Sequence, residues 1–111
     1  MSVTPRFNIE PIPLVKLYVA TDAQRRLRLS ADMVRNFDLD AGNRVLLGFD
    51  VAAQAIAIRI AESASNPEAA TVDQRGYISA RRFYAKTQIA AEFRRFTFVA
   101  EQDGWLVFTA E

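Results

Sequence analysis

Arginine dominates the chemistry available to this chain. Among its 14 lysines and arginines, Arg75, Arg81, Arg82, Lys86, Arg94 and Arg95 fall in one stretch that Glu92 alone opposes, and Arg25, Arg26 and Arg28 form a second cluster. A guanidinium offers a rigid fork of donors matched to phosphate or carboxylate oxygens. Acidic residues collect elsewhere, at Glu62, Glu68 and Asp73 and at Glu101, Asp103 and Glu111. The formal net charge of +1 excludes a histone-like polycation. Segregated charge nevertheless makes a positive face on a nearly neutral protein. The plainer reading of the same arginines is scatter over solvated faces.

Other chemistries are poorly supplied. The chain has no histidine and no cysteine, which excludes a serine–histidine hydrolase, an imidazole base, thiolate zinc sites, disulfides and a thiol nucleophile. Carboxylates stand mainly alone in turns, the lysines are Lys16 and Lys86, and no glycine-rich phosphate loop occurs. An enzyme is not expected, nor a cofactor or a metal. Aromatic residues Tyr77, Phe83, Tyr84, Phe93, Phe96, Phe98, Trp105 and Phe108 crowd the second half beside its cations. Interleaved arginines and aromatics can stack on single-stranded nucleic acid, but aromatics at alternating strand positions also make a small core. Phe96 and Phe98 fit the core, whereas Tyr77 and Tyr84 are the candidates for exposure.

The scaffold for these groups is a single compact domain, since 111 residues and 50% apolar composition describe an ordinary globular chain. No apolar run approaches the ~20 residues of a membrane-spanning helix. The opening segment lacks the apolar core of a secretory signal, so a cytoplasmic location and no membrane association are expected. Residues 1–13, with Pro5, Pro11 and Pro13, read as an extended lead-in that packs Phe7 and Ile9 against the domain. Leu14 to Ala20 and Arg25 to Leu29 read as strands. Ser30 then caps a short helix from Ala31 to Phe37, with Met33, Val34 and Phe37 on one face. Strands follow around Val45–Phe49 and Ile56–Ile60. Residues 62–70 compose a linker. Beyond it the order repeats: a strand end at Thr71–Gln74, a strand at Gly76–Ile78, a helix capped by Ser79 and running to about Lys86, then Arg94–Ala100, a turn at Gln102–Gly104, and Trp105–Thr109.

The two halves superpose in sequence with small length differences. Leu29-Ser30-Ala31 matches Ile78-Ser79-Ala80, Arg44-Val45-Leu46-Leu47 matches Arg95-Phe96-Thr97-Phe98, Asp50 matches Glu101 and Ile56 matches Val107. A repeat this short cannot bury its own apolar face and needs a partner, which the other half can supply. The expected architecture is a mainly β domain with two short helices, built from two related ββαββ units (14–61 and 71–109) as a swapped-hairpin or double-psi-like barrel.

The run Arg25-Arg26-Leu27-Arg28-Leu29-Ser30-Ala31-Asp32-Met33-Val34-Arg35-Asn36-Phe37-Asp38-Leu39-Asp40-Ala41-Gly42-Asn43-Arg44-Val45 resembles the swapped-hairpin domain of AbrB- and MazE-type DNA-binding regulators. Leu29-Ser30 stands where that family has Ile-Pro, and Phe37-Asp38-Leu39 where it has Leu-Gly-Leu. Arg75-Gly76-Tyr77-Ile78-Ser79-Ala80-Arg81-Arg82-Phe83 resembles a second, more diverged copy. The resemblance implies sequence-dependent binding of double-stranded DNA, and it places the contacting cations at Arg26, Arg35 and Arg75. Arg25 and Arg28 lie in the same first cluster; Arg81, Arg82 and Lys86 lie on the second helix without a family counterpart. Arg81 and Arg82 open that helix, where its dipole disfavours cations by ~0.3–1 kcal/mol, a placement that points to a use. The other functional classes left open are a protein-interaction module (antitoxin-like or a phage accessory subunit) and a single-strand binder. Duplex DNA is the expected partner, and a homodimer or a protein partner remains open.

Overall fold

The computed structural model describes residues 4–111. Eight antiparallel strands and two helices follow one another as β1 (Tyr18–Thr21), β2 (Arg26–Leu29), α1 (Ala31–Asn36), β3 (Arg44–Asp50), β4 (Ala55–Ile60), β5 (Ala70–Thr71), β6 (Tyr77–Ser79), α2 (Arg81–Thr87), β7 (Arg94–Gln102) and β8 (Trp105–Ala110). They form one sheet in the order β5-β3-β4-β8-β7-β1-β2-β6. Its outer strands meet through a bridge between Val72 and Ile78 and a hydrogen bond from Asp73 N to Tyr77 O of 2.9 Å, so the sheet nearly closes into a barrel. No described helix is long and apolar enough to cross a membrane.

Alternation drives the closure. Val19, Leu27, Leu29, Val45, Ile56, Ile58, Ile78, Phe96, Leu106 and Phe108 point inward and are buried, while their neighbours along each strand face out. Met33 from α1 and Tyr84 from α2 complete the core at the barrel mouths. Phe98 packs between Phe37 and Phe108, at centroid separations of 5.3 and 5.8 Å.

The two halves share one pairing plan with a constant spacing of 51 residues. Val19 pairs with Phe96 as Ala70 pairs with Val45. Thr21 pairs with Leu27 as Val72 pairs with Ile78. Phe49 pairs with Ile56 as Ala100 pairs with Val107; a bulge between Phe98 and Ala100 shifts the remainder of β7 by one residue. The turns repeat as well. Asp22 accepts from the Gln24 and Arg26 amides through Oδ1, and Asp73 accepts in the same way from Arg75 and Tyr77. Arg25 and Gly76, again 51 apart, both hold positive φ, at 57° and 81°.

That spacing corrects part of the sequence alignment. The correspondence of Arg44–Leu47 with Arg95–Phe98 has it, but Leu29 corresponds to Ala80 and Leu27 to Ile78, not Leu29 to Ile78. The aligned serines misled because only one of them caps a helix. Ser30 Oγ accepts from the Met33 amide at 3.2 Å, whereas α2 starts from Ala80 with no side-chain cap, and Ser79 lies in β6 opposite Arg26. The lead-in differs too. Residues 1–3 of it lie outside the described residues, and from Thr4 to Val15 the chain carries no helix or strand, with Phe7 and Ile9 exposed rather than packed. Leu17 O still accepts from Phe98 N at 3.0 Å, so odd-numbered residues of this segment turn their polar groups toward β7. The pairing ends there, where β7 carries its bulge between Phe98 and Ala100, and Pro13 and Pro11 further out on that edge have no N–H with which to resume it.

Candidate nucleic-acid interface

The outward face of β6, β2, β1 and β7 carries the densest positive charge. Arg28 on β2 stands opposite Tyr77 on β6 and opposite Ala20 on β1, and Ala20 stands opposite Arg95 on β7. Paired positions share a face, so Tyr77, Arg28, Ala20 and Arg95 form one row across the sheet. Arg28 and Arg95 are separated by two strand spacings, about 10 Å, over the methyl of Ala20.

Tyr77 is the hub of this face. The guanidinium carbons of Arg26, Arg75 and Arg28 lie 4.1, 5.1 and 5.4 Å from its ring centroid. Cation–π attraction of this type gathers like charges that would otherwise repel. Arg95 repeats the arrangement over Tyr18, at 4.7 Å. Two carboxylates hold the scaffold. Asp22 pairs with Arg26 Nε at 2.8 Å, and Asp73 approaches Arg75 at 3.8 Å. The amide of Tyr77, more than any other group, lowers the Asp73 carboxyl below its ordinary pKa, with the Arg75 amide and charge adding to the effect. Asp73 therefore belongs to the arginine face and not to a separate acidic region. Its charge fixes the turn that presents Arg75.

The sequence-derived residues divide into three groups. Arg26, Arg28 and Arg75 converge on Tyr77. Arg25 and Arg81 line a shallow depression of about 370 Å³ beside them, over Tyr84 and Gln88. Arg35, Arg82 and Lys86 do not join either group: Arg35 pairs with Asp32 on α1, and Arg82 and Lys86 stand exposed on α2. Tyr84, a candidate for exposure, is buried. Its hydroxyl accepts from the Asp22 amide at 3.1 Å and donates to Arg26 O at 2.6 Å, tying α2 beneath the basic turn. Burial raises the Tyr84 pKa, so the phenol keeps the proton it donates.

Arg95 and Tyr18 escaped the sequence reading as site residues. The signal was present in the alternation Arg95-Phe96-Thr97-Phe98, which faces Arg95 outward once Phe96 is core. Its counterpart Arg44 has the opposite fate. Arg44 Nη2 donates to Asn66 O and Ala69 O at 3.1 and 2.7 Å, clasping the segment before β5. Arg94 alternates away from the basic face and sits over Phe96 at 5.5 Å, in the cleft shared with Thr21. Comparison of the chain with models of known families, with characterised proteins and with solved structures gives no match.

Proposed function

We propose that the chain binds double-stranded DNA through the face made by β6, β2, β1 and β7, as a small sequence-dependent regulator of the AbrB type. The observation that carries this reading is the convergence of Arg26, Arg28 and Arg75 on Tyr77, with Arg95 in the same cross-strand row. Cations gathered with two partial counter-charges are relieved by a polyanion, and phosphate oxygens accept the guanidinium fork. An antiparallel ribbon such as β2–β6 has the width to enter a major groove, where arginine reads guanine.

The 51-residue recurrence of pairings supports the companion inference, that two diverged copies of one unit form a pseudo-dimer in a single chain. The resemblance of residues 25–45 to AbrB- and MazE-type domains supports the same conclusion. Single-strand binding is the weaker reading, because Arg26 and Arg95 already cover the tyrosine rings that bases would stack on.

Titration of a labelled duplex against the protein tests the proposal. Affinity falls steeply between about 50 mM and about 200 mM salt, with a log–log slope of about −3 for the Arg28, Arg75 and Arg95 contacts. A flat salt response places binding, if any, on an apolar surface and removes this reading.

A further inference from the structure

The segment before β1 is built as a docking strand, and we propose that it docks on a second copy of this chain. Phe7, Ile9, Ile12 and Leu14 are 80, 84, 75 and 90% exposed, an apolar load that a free surface segment has no reason to carry. The molecule measures 72 × 27 × 26 Å, so the segment projects along the long axis instead of folding over the barrel.

The prolines set its geometry. Pro5, Pro11 and Pro13 all occupy odd positions. In an extended chain odd and even residues turn their N–H and C=O groups to opposite edges. The odd edge therefore loses its donors at Pro5, Pro11 and Pro13 and keeps those of Phe7, Ile9 and Val15, while the even edge keeps every amide, including those of Glu10, Ile12 and Leu14. Such a strand joins a sheet better by its even edge, and the interrupted odd edge is a poor template for a third chain. It behaves as a terminating element, suited to a closed pair and unsuited to a fibre.

A receptor of the right kind exists on the same molecule. Beyond Phe98, β7 pairs only with β8, leaving its other edge without a neighbour, and Val99 there is 53% exposed. On the other side of β7, and reaching it at Gln102, an open depression of about 390 Å³ is floored by Gly48, Ala57 and Val107 and walled by Trp105. Gly48 keeps that floor low, since a Cβ there would lie 3.0 Å from the Trp105 ring. Reciprocal exchange gives each copy one arm and one receptor. A stable interface buries about 1,600 Å² in total, and reciprocal exchange divides that area over two arms and their two receptors.

Sedimentation velocity of the full chain from about 10 to about 100 μM provides the test, because an interface of this size should hold in the micromolar range. The unmodified protein sediments as a dimer. Ile12→Pro removes an even-edge donor with little loss of apolar character and shifts the protein to monomer; Phe7→Asp with Ile9→Asp does the same through the apolar face. Circular dichroism of each variant keeps the barrel signal of the parent and loses only that of the docked strand, since these positions make no core contact. A monomeric unmodified protein overturns the proposal, whether its arm is free or folds back on its own barrel. So does a dimer that the arm variants leave intact. A monomer whose arm is captured by a different protein also counts against it. None of these outcomes depends on nucleic acid.

Discussion

The clearest contrast between single residues is Arg25 against Gly76. They sit in corresponding turns, at φ 57° and 81°; Arg25 O accepts from Ala80 N, just past β6, and Gly76 O from Leu29 N, at the end of β2. Glycine suits this conformation and arginine does not, because a Cβ in the left-handed region meets the backbone. At Gly76 the crowding is explicit, with an added Cβ 3.1 Å from Leu29 O. Gly76→Ala should lower stability by about 1–2 kcal/mol. Arg25→Gly should raise it by about 0.5–1 kcal/mol, the relief being partly offset by the freer unfolded chain. Urea midpoints of the two variants, moving in opposite directions, check this. Arginine at the strained position also concentrates charge beside Arg26 and Arg28. The residue scale was only partly legible in sequence. Composition and clustering singled out the cations as a class, yet nothing along the chain distinguishes Arg44, half-buried in a clasp, from Arg95, exposed over Tyr18. Only the pairing partner decides, Ala70–Thr71 for one strand and β1 for the other.

Among the elements, the two helices differ in how they begin. Ser30 Oγ donates to Lys16 O at 2.7 Å and accepts from the Met33 amide, so one hydroxyl both caps α1 and ties down the strand entering the barrel. Asp32 adds a bond from the Lys16 amide, the main cause of its lowered pKa. Ser30→Ala should cost about 1–2 kcal/mol, measured as a shift in the denaturation midpoint without loss of fold. The same change at Ser79 should cost only a few tenths of a kcal/mol, because that hydroxyl is exposed on β6 and caps nothing. Most elements were readable from alternation and from Ser30, and their ends drifted by a few residues. The start of α2 was not readable. Ala80 carries no capping signal, and burial of Tyr84, held by its hydroxyl against Asp22 and Arg26, sets that helix instead of a local cap. The length of β1 was overestimated because apolar composition from Leu14 onward looks like strand, while the bulge of β7 after Phe98 and the turn of the Lys16 amide to Asp32 mark where the pairing with β7 ends.

On the scale of the whole molecule, the halves repeat a plan and diverge in its use. The 51-residue correspondence sets Arg26 against Tyr77, Arg28 against Ser79 and Arg75 against Gln24, so the face is pseudo-symmetric in backbone and asymmetric in charge. The order of elements in the sequence pointed to this plan. Its register did not emerge, since side-chain identity between the halves is low and pairing is set by backbone hydrogen bonds that any outward residue accepts. The basic face runs over β6, β2, β1 and the start of β7 at Arg95, whereas the depression lies on the outer side of β3, β4 and β8 and reaches β7 only at Gln102.

The central claim concerns the basic face, and fluorescence anisotropy of a labelled duplex with single-arginine variants tests it most directly. Arg28→Ala and Arg95→Ala should each weaken binding by about threefold to tenfold and flatten the salt slope by about 1, as expected for a lost phosphate contact. Arg35→Ala, held by Asp32 on α1, should leave both unchanged. Equal duplex affinity in all these proteins, or no duplex binding by the unmodified chain, would contradict the account.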